Sequence, residues 1–436
     1  MAGGSTPWEP EPTGATPATP RGRRMGGAIS PGNVGAVLAG SLLRVLDPLE
    51  DLAVVRDGAR TVIAIEPVER LRLDGAAALE ALASLTPGWW AGAIAYELGR
   101  DIEPTGRPPH PRAVPDLHLT RFAARLVLAP DRAPVVVGDG TGARRLRHAL
   151  DAATPRTGST GLTGAWHSSM DRARYEAAVA EIIGLERAGE CYQANLTRTL
   201  RNDHPGDPVE LFDALDRHNP SPHAALIRGE DLAVVSASPE RFLRLDGRRV
   251  ETRPIKGTAR DAADLLESAK DRAENVMIVD LARNDLGRVC SPGSITVPAL
   301  CALEPHPGLH HLVSTVVGRL APGVGLGGLL RATFPPASVT GAPKPRVLRI
   351  IETLEPTARG YYCGAVGWID TERQRADLAV AIRTFTVTDH TTFGTGAGIT
   401  VGSDPAAEWA ETELKAARLL AAAGSMTSAP RPVGAP

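Results

Sequence analysis

Near the end of the chain, Glu408, Glu411 and Lys415 are spaced three and four residues apart, which on an α-helix sets all three on one face. Carboxylates so placed can hold a hard cation. An earlier predicted helix carries Asp271 and Glu274 at the same three-residue spacing. Two such helices facing each other would supply oxygen ligands, with bound substrate and water completing an octahedral magnesium shell. Glu and Lys at helical spacing also make ordinary solvated ion pairs, so spacing alone leaves both readings open. Residues 394–400 (GTGAGIT) are predicted to join a strand to the last helix, and their glycines would expose backbone N–H groups to phosphate or carboxylate. Arg383, upstream on a predicted strand, carries the guanidinium fork that recognises carboxylate in two-point fashion. Together they point to a carboxylate-bearing substrate. Glu240 in 236–242 (SASPERF) and Lys256 in 251–258 (ETRPIKGT) end neighbouring segments, with Pro254 and Gly257 fixing the turn. The pair is either a structural ion pair or a reacting acid and amine.

The elements that must position these groups follow from periodicity. A helix begins at about Asp171, buries Tyr175, Val179, Ile182 and Ile183 on one face, and stops at Gly189. Strands are predicted at 191–200, 224–228 and 232–237, leading to the 251–258 turn and a long helix from Asp264 to Ala282. A strand at 310–320 precedes a helix starting near Pro343, where the missing N–H costs nothing. Strands near 362–369, 377–388 and 391–400 and a helix over 404–423 close the pattern. The first half shows strand-like runs at 61–65, 91–96 and 134–137 and a helical stretch near 75–85. Strands outnumber the crossover helices of a parallel series, so an α+β fold with largely antiparallel sheets is expected. The expected division is a disordered extension over 1–30, an N-terminal part over 31–152, a turn-rich linker at 153–164, a catalytic region over 165–423 and a frayed tail over 424–436. Met25, just before the first apolar-patterned stretch, suggests that translation begins there.

Bulk properties narrow the function class. The chain has 436 residues, 43% of them apolar, and 48 basic against 50 acidic side chains, which gives ample core and no basic field for nucleic acid. Its four cysteines form no CxxC pair, which favours reduced thiols and a cytoplasmic setting over zinc or a disulfide framework. No stretch approaches the apolar run of a membrane span, so a soluble protein is expected.

The order of motifs resembles the chorismate-binding family that includes anthranilate, aminodeoxychorismate, isochorismate and salicylate synthases. The matching segments start at 191 (CYQANLTR), 236, 251, 274 (ENVMIVDLARNDLGRVC), 304 (EPHPGLHHLVSTV), 335 (PPASVTGAPKPR), 355 (EPTARGYYCGAVGWID) and 396 (GAGITVGSDPAAEWAET), with a weaker match at 87–104 and 115–129. The resemblance implies an αββα sandwich of two large antiparallel sheets with the active site between them. It further implies that Glu274 and Glu411 ligate magnesium directly, with Asp271 and Glu408 reaching the ion through water. By the same resemblance, Arg383, the backbone of Gly396, Ala397 and Gly398, and Lys415 hold the two carboxylates of chorismate, while Tyr362, Thr340 and His310 or His311 line the pocket.

The hydrolytic members of the family carry a lysine general base where this chain has Gln193. Glutamine cannot accept a proton at neutral pH, whereas ammonia is already a nucleophile, so Gln193 favours amination. The PIKGT of 254–258 is similar to the aminodeoxychorismate branch, where anthranilate synthases read PIAGT. The resemblance implies that Lys256 attacks C2 while the C4 hydroxyl leaves, with Glu240 as general acid, and that ammonia then attacks C4 and expels the lysine. The chain shows no glutaminase motif, so a separate glutamine amidotransferase subunit is expected to deliver ammonia within a heterodimer. The alternatives are an anthranilate synthase component and, in another class, a catalytically silent chorismate-binding regulatory subunit.

Overall fold

The computed structural model describes residues 41–46, 51–106, 109–153, 162–306, 309–424 and 431–432. The expected N-terminal extension, the Met25 start, most of the linker and most of the tail lie outside the described residues. Helices and strands mix throughout, and the strands make one continuous ladder. From one end it runs through Thr296–His306, Leu309–Arg319, the consecutive strands Arg249–Arg253 and Ile255–Ala259, Arg241–Asp246, Arg375–Val380, Ala365–Asp370 and Trp89–Ile94. The long strands Leu117–Ala129 and Arg60–Leu73 continue it. It then passes through Leu52–Asp57, His223–Arg228, Ala233–Ser238, Thr384–Val387, Thr391–Ile399, Gln193–Asn202 and Trp166–Ser168. Every one of these pairings is antiparallel, as the excess of strands over crossover helices predicts.

The ladder bends in the middle. Pairing between the two long strands shifts register between Pro67 and Glu69, and Glu66 there has φ +65°, the local kink of a β-bulge. One apolar cluster joins Val55 and Ala64 from one side of the bend to Ala91, Val366 and Ala379 from the other. A second packs Trp90, Leu243 and Leu378 against helical residues such as Ile182, Leu330 and Ile351. The third packs Ile63, Leu226 and Phe393 against Leu146, Phe212 and Leu419. Strands such as Trp89–Ile94 and Ala233–Ser238 are therefore buried along their whole length, which is why neither alternates with charged residues.

Several element boundaries differ from the expectation. The 264–282 helix is two helices, Ala262–Glu267 and Ala269–Gly287, because Ser268 leaves the helical region and its hydroxyl caps the Asp271 N–H. The 251–258 turn is a strand interrupted at Pro254, with both halves paired to Leu309–Arg319; proline cannot donate to the ladder. Residues 394–399 lie inside the strand Thr391–Ile399, so the glycine run belongs to the strand expected over 391–400 and is not the connection to the last helix. The expected strand over 377–388 breaks between Val380 and Thr384, and Arg383 sits in the gap.

Candidate active site

Two neighbouring crossovers carry the chain between the two halves of the ladder. One joins Ala233–Ser238 to Arg241–Asp246 and contains Glu240; the other joins Arg375–Val380 to Thr384–Val387 and contains Arg383. They are stitched together, Val380 N–H donating to the Glu240 carbonyl and Ala237 N–H to the Arg383 carbonyl, each at 3.0 Å. Ser238 Oγ donates to the Val380 carbonyl at 2.5 Å. Arg383 takes up the change of direction with φ +53°, a left-handed backbone that costs a non-glycine residue free energy and is found at sites held in place by their surroundings.

Both crossovers open on a cavity of about 540 Å³. Glu240 is buried, and that burial pushes its carboxyl up to about 7 against the opposing pull of the Ser338 hydrogen bond, the Lys256 charge and the Ile255 N–H. Lys256 reaches the same cavity and donates to the Ser338 carbonyl at 3.3 Å. Its ammonium is held below the ordinary lysine range because burial outweighs the attraction of Glu274 and Glu240, and the Lys415 charge works in the same direction as burial. Desolvation thus sets the direction of the shift against the pull of Glu240 and favours release of the ammonium proton. A neutral amine is what a nucleophilic lysine needs.

Two helices face the lysine with acidic side chains. Ala269–Gly287 is anchored by Asn275, which donates to the Leu312 carbonyl at 3.0 Å and so ties Asp271 and Glu274 to the strand paired with Lys256. Gly257, at φ +80°, would place a Cβ 3.0 Å from Asp271, so only glycine lets the lysine loop approach that helix. Pro405–Ala422 brings Glu411 and Lys415 to the cavity, its N-terminus capped by Asp404. Lys270 bridges the two helices, 3.9 Å from both Glu274 and Glu408. Lys415 pairs with Glu411 at 2.6 Å and donates to the Gly396 carbonyl at 3.0 Å. Burial raises Glu274, and the charges of Asp271 and Glu411 add to it; burial also raises Glu408, with Glu411 adding to it. Burial would raise Glu411 too, but Lys415 and Lys270 bring it below the ordinary value. Among the described residues no group of three or more metal-binding side chains is gathered tightly enough to cage an ion. Carboxylates that raise one another gain from a cation between them, and magnesium takes only one or two protein carboxylates, with water and substrate supplying the rest. The donor set therefore fits magnesium bound jointly with substrate.

The glycine strand contributes differently from a phosphate loop. Thr197 N–H donates to Glu355 and Asn195 N–H to the Thr340 carbonyl, so these two residues turn their main chain away from their partners Gly396 and Gly398. Alternation along an antiparallel pair then commits Ala397 to Leu196 and leaves the amides of Gly396 and Gly398 on the cavity edge. Gly398 also makes room for two site residues: a Cβ there would lie 2.5 Å from Gln193 Nε2 and 3.7 Å from Lys256 Nζ. Gln193 is buried, and its amide oxygen and nitrogen have no hydrogen-bond partner among the described residues.

Of the residues picked out in the sequence, Glu240, Lys256, Asp271, Glu274, His311, Tyr362, Arg383, Gly396, Gly398, Glu411 and Lys415 line this one cavity. Gln193 lies beside it. His311 bonds Thr258 Oγ1 at 2.8 Å and is pushed down to about 4 by burial and by the charges of His306 and Arg383, so it is neutral. His310 instead faces the Arg260 carbonyl. Thr340 is buried with its hydroxyl on the Pro336 carbonyl, and Glu408 accepts from Ser403 at 2.6 Å; neither lines the cavity. Arg383 is pushed down to about 10 by burial and by Arg418. Sequence reasoning missed Asn195, Asn219, Lys270, Ser338 and Arg418, which also line the site. Two were findable: Asn195 shares a strand face with Gln193, and Lys270 stands one turn before Glu274.

Comparison with known proteins accords with this arrangement. The profile of the chorismate binding enzyme family matches residues 47–421. The chain is 38% identical over 342 residues to aminodeoxychorismate synthase component 1 of Salmonella typhimurium, covering 76% of this chain and 75% of that protein. It is 40% identical over 270 residues to anthranilate synthase component 1 of Saccharolobus solfataricus, covering 59% and 64%. The crystal structure of anthranilate synthase component I from Streptococcus pneumoniae superposes with a TM-score of 0.73 at 26% identity, covering 83% of this chain and 92% of that one. The continuous antiparallel ladder, the two acidic helices around one cavity and a profile match spanning most of the chain together make this protein a member of the chorismate binding enzyme family.

Proposed function

We propose that the protein is an aminodeoxychorismate synthase, replacing the C4 hydroxyl of chorismate with an amino group to give 4-amino-4-deoxychorismate, a precursor of 4-aminobenzoate and folate. The observation that carries this reading is the juxtaposition of a buried Lys256 amine, its proton loosened by desolvation, and a protonatable Glu240, both joined to Ser338 in one cavity. The aminodeoxychorismate synthases among its relatives support it. Anthranilate synthases share the family, but the lysine at 256 favours C4 over C2.

In the proposed sequence the Lys256 amine forms a bond to C2 as both ring double bonds shift and the C4 oxygen departs as water, taking the Glu240 proton. Hydroxide is too poor a leaving group without that proton. Ammonia then bonds to C4, both double bonds shift back, the C2–N bond breaks to free Lys256, and the new ammonium gives a proton back to Glu240. Arg383, Lys415 and the Gly396 and Gly398 amides would hold carboxylates. Magnesium, bound by Glu274 and Glu411, would neutralise a ring carboxylate and orient it. Gln193 would contact substrate without activating water. The three apolar clusters, two under helices and one between strands across the bend, support an αββα sandwich with the site between its sheets. The component 1 names of the relatives support a partner, for which we propose a glutamine amidotransferase supplying ammonia. No helix among the described residues is long and apolar enough to cross a membrane, and we propose a cytoplasmic enzyme.

The test is NMR of the product formed from chorismate, magnesium and ammonium, with and without a lyase that releases 4-aminobenzoate. An amine at C4 is expected; anthranilate as the product would overturn the reading.

A further inference from the structure

We propose that Arg359, which stands outside the cavity, is a positioning residue: its guanidinium clamps the strand bearing Gln193 and Asn195 to the 337–340 loop that holds Lys256 and Glu240. The inference rests on the reading of Lys256 and Glu240 as reacting groups.

Arg359 is buried at 6% exposure, and its donors span three chain segments. Nη1 donates to the Val339 carbonyl at 2.8 Å and Nη2 to the Asn195 carbonyl at 2.6 Å. Nε and Nη2 also hold Glu355 in two-point fashion, at 2.9 and 2.6 Å. Glu355 in turn accepts the Thr197 N–H at 2.8 Å, on the same strand as Asn195. The Arg359 main-chain N–H is fixed by Glu97 at 2.8 Å, and its guanidinium carbon lies 4.4 Å from the Tyr96 ring centroid.

The two carbonyls it grips belong to the site. Val339 and Asn195 both line the cavity, and Asn195 N–H closes the link by donating to the Thr340 carbonyl at 2.9 Å. One residue before Val339, Ser338 accepts from Lys256 through its carbonyl and bonds Glu240 through its side chain. A planar fork locked against a carboxylate is a stiff strut. Moving Ser338 by a fraction of an ångström would misdirect the lysine and the acid together, and reaction rate is steep in such displacements. A pair serving only the fold would need no contact with carbonyls on both walls of the site. Lysine at 359 would keep the charge but offers no fork to span Val339 and Asn195.

The experiment compares Arg359→Lys and Glu355→Gln with wild type, using chorismate, magnesium and ammonium, resolved by product and across pH. The expected result is folded protein, KM for chorismate within about threefold of wild type, and kcat reduced on the order of 30-fold. The alkaline limb of the kcat profile should move to higher pH, because the Ser338 hydrogen bond that favours ionised Glu240 is loosened. Wild-type kcat and profile in a folded variant, or a kcat loss matching only the unfolded fraction, would overturn the clamp. Should neither single variant fold, the Arg359→Met/Glu355→Gln double variant removes both charges together, and wild-type kcat in that protein would overturn it equally. A wild-type enzyme that aminates C2 would defeat the functional reading instead, while the kcat, KM and pH comparison still judges the clamp on that product.

Discussion

Lys415 lies 2.6 Å from Glu411 across one turn of the Pro405–Ala422 helix, so the expected metal ligand is already held by an ammonium. A magnesium ion at Glu411 must compete with that pairing. Magnesium should therefore bind weakly to the free protein and more tightly with chorismate, whose carboxylate can take over Lys415. Titration calorimetry with and without substrate checks this. Both partners are about half exposed, so the pair is worth at most ~1 kcal/mol, and Lys415→Gln should tighten magnesium binding to the free protein by about fivefold at most. Chelation by EDTA should stop turnover, and added magnesium should restore it.

Lys256→Ala should lower C4 amination by about 1000-fold or more, since it removes a bond-forming group rather than a contact. Lys256→Arg should be equally inactive, because guanidinium stays charged. A discontinuous assay of aminodeoxychorismate decides it, and near-wild-type turnover in either variant is incompatible with the covalent role.

Glu240 ties activity and stability to the same proton, and both fall as that proton is lost. As a general acid it works protonated, so kcat should fall as pH rises through about 7. Its folded value lies above the ordinary 4.5, so the folded state holds the proton more tightly than the unfolded state. The resulting stability is present in full below about 4.5 and is lost as pH rises through about 7. Glu240→Gln should therefore abolish activity yet raise the thermal midpoint at pH 8, by an amount equivalent to no more than ~3 kcal/mol. Calorimetry at pH 5 and pH 8 should show the gain shrinking at the lower pH.

Gly398→Ala tests the packing of the glycine strand. The backbone at this position is not left-handed, so the cost is steric, a methyl group 2.5 Å from Gln193 Nε2. The fold should survive with a loss of ~1–3 kcal/mol, while kcat should fall at least tenfold because the methyl displaces Gln193 beside Lys256. Circular dichroism melting and steady-state kinetics on the same sample separate the two effects.

Much of the site was legible because its chemistry is carried by side chains in dense local motifs. Glu411 and Lys415 are one helical turn apart, Asp271 and Glu274 likewise, and local spacing settles which face they share. The α+β, antiparallel character was equally accessible from strand count. Arg383 was misplaced on a strand because every other residue over 378–388 is apolar or β-branched, and nothing local marks a crossover. The GTGAGIT run fitted both the strand expected over 391–400 and a connection to the last helix, because glycine disfavours strands; its pairing with residues 194–202, nearly two hundred positions earlier, makes it strand. Ser338 stood inside a quoted motif without being singled out, because its role, a carbonyl for Lys256 and a hydroxyl for Glu240, depends on partners about eighty and a hundred positions earlier.

By itself, then, the sequence determined which reactive groups exist, that Gln193 cannot serve as a base and that Lys256 stands where its family neighbours differ. Those are properties of side-chain chemistry and short-range spacing. Only the tertiary structure decided that Glu240 and Arg383 sit on adjacent crossovers, that His311 and not His310 reaches the cavity, and that burial lowers the Lys256 ammonium despite its acidic neighbours. Burial and long-range pairing set those outcomes, because desolvation depends on everything that surrounds a group and the residues surrounding these lie far apart in the chain.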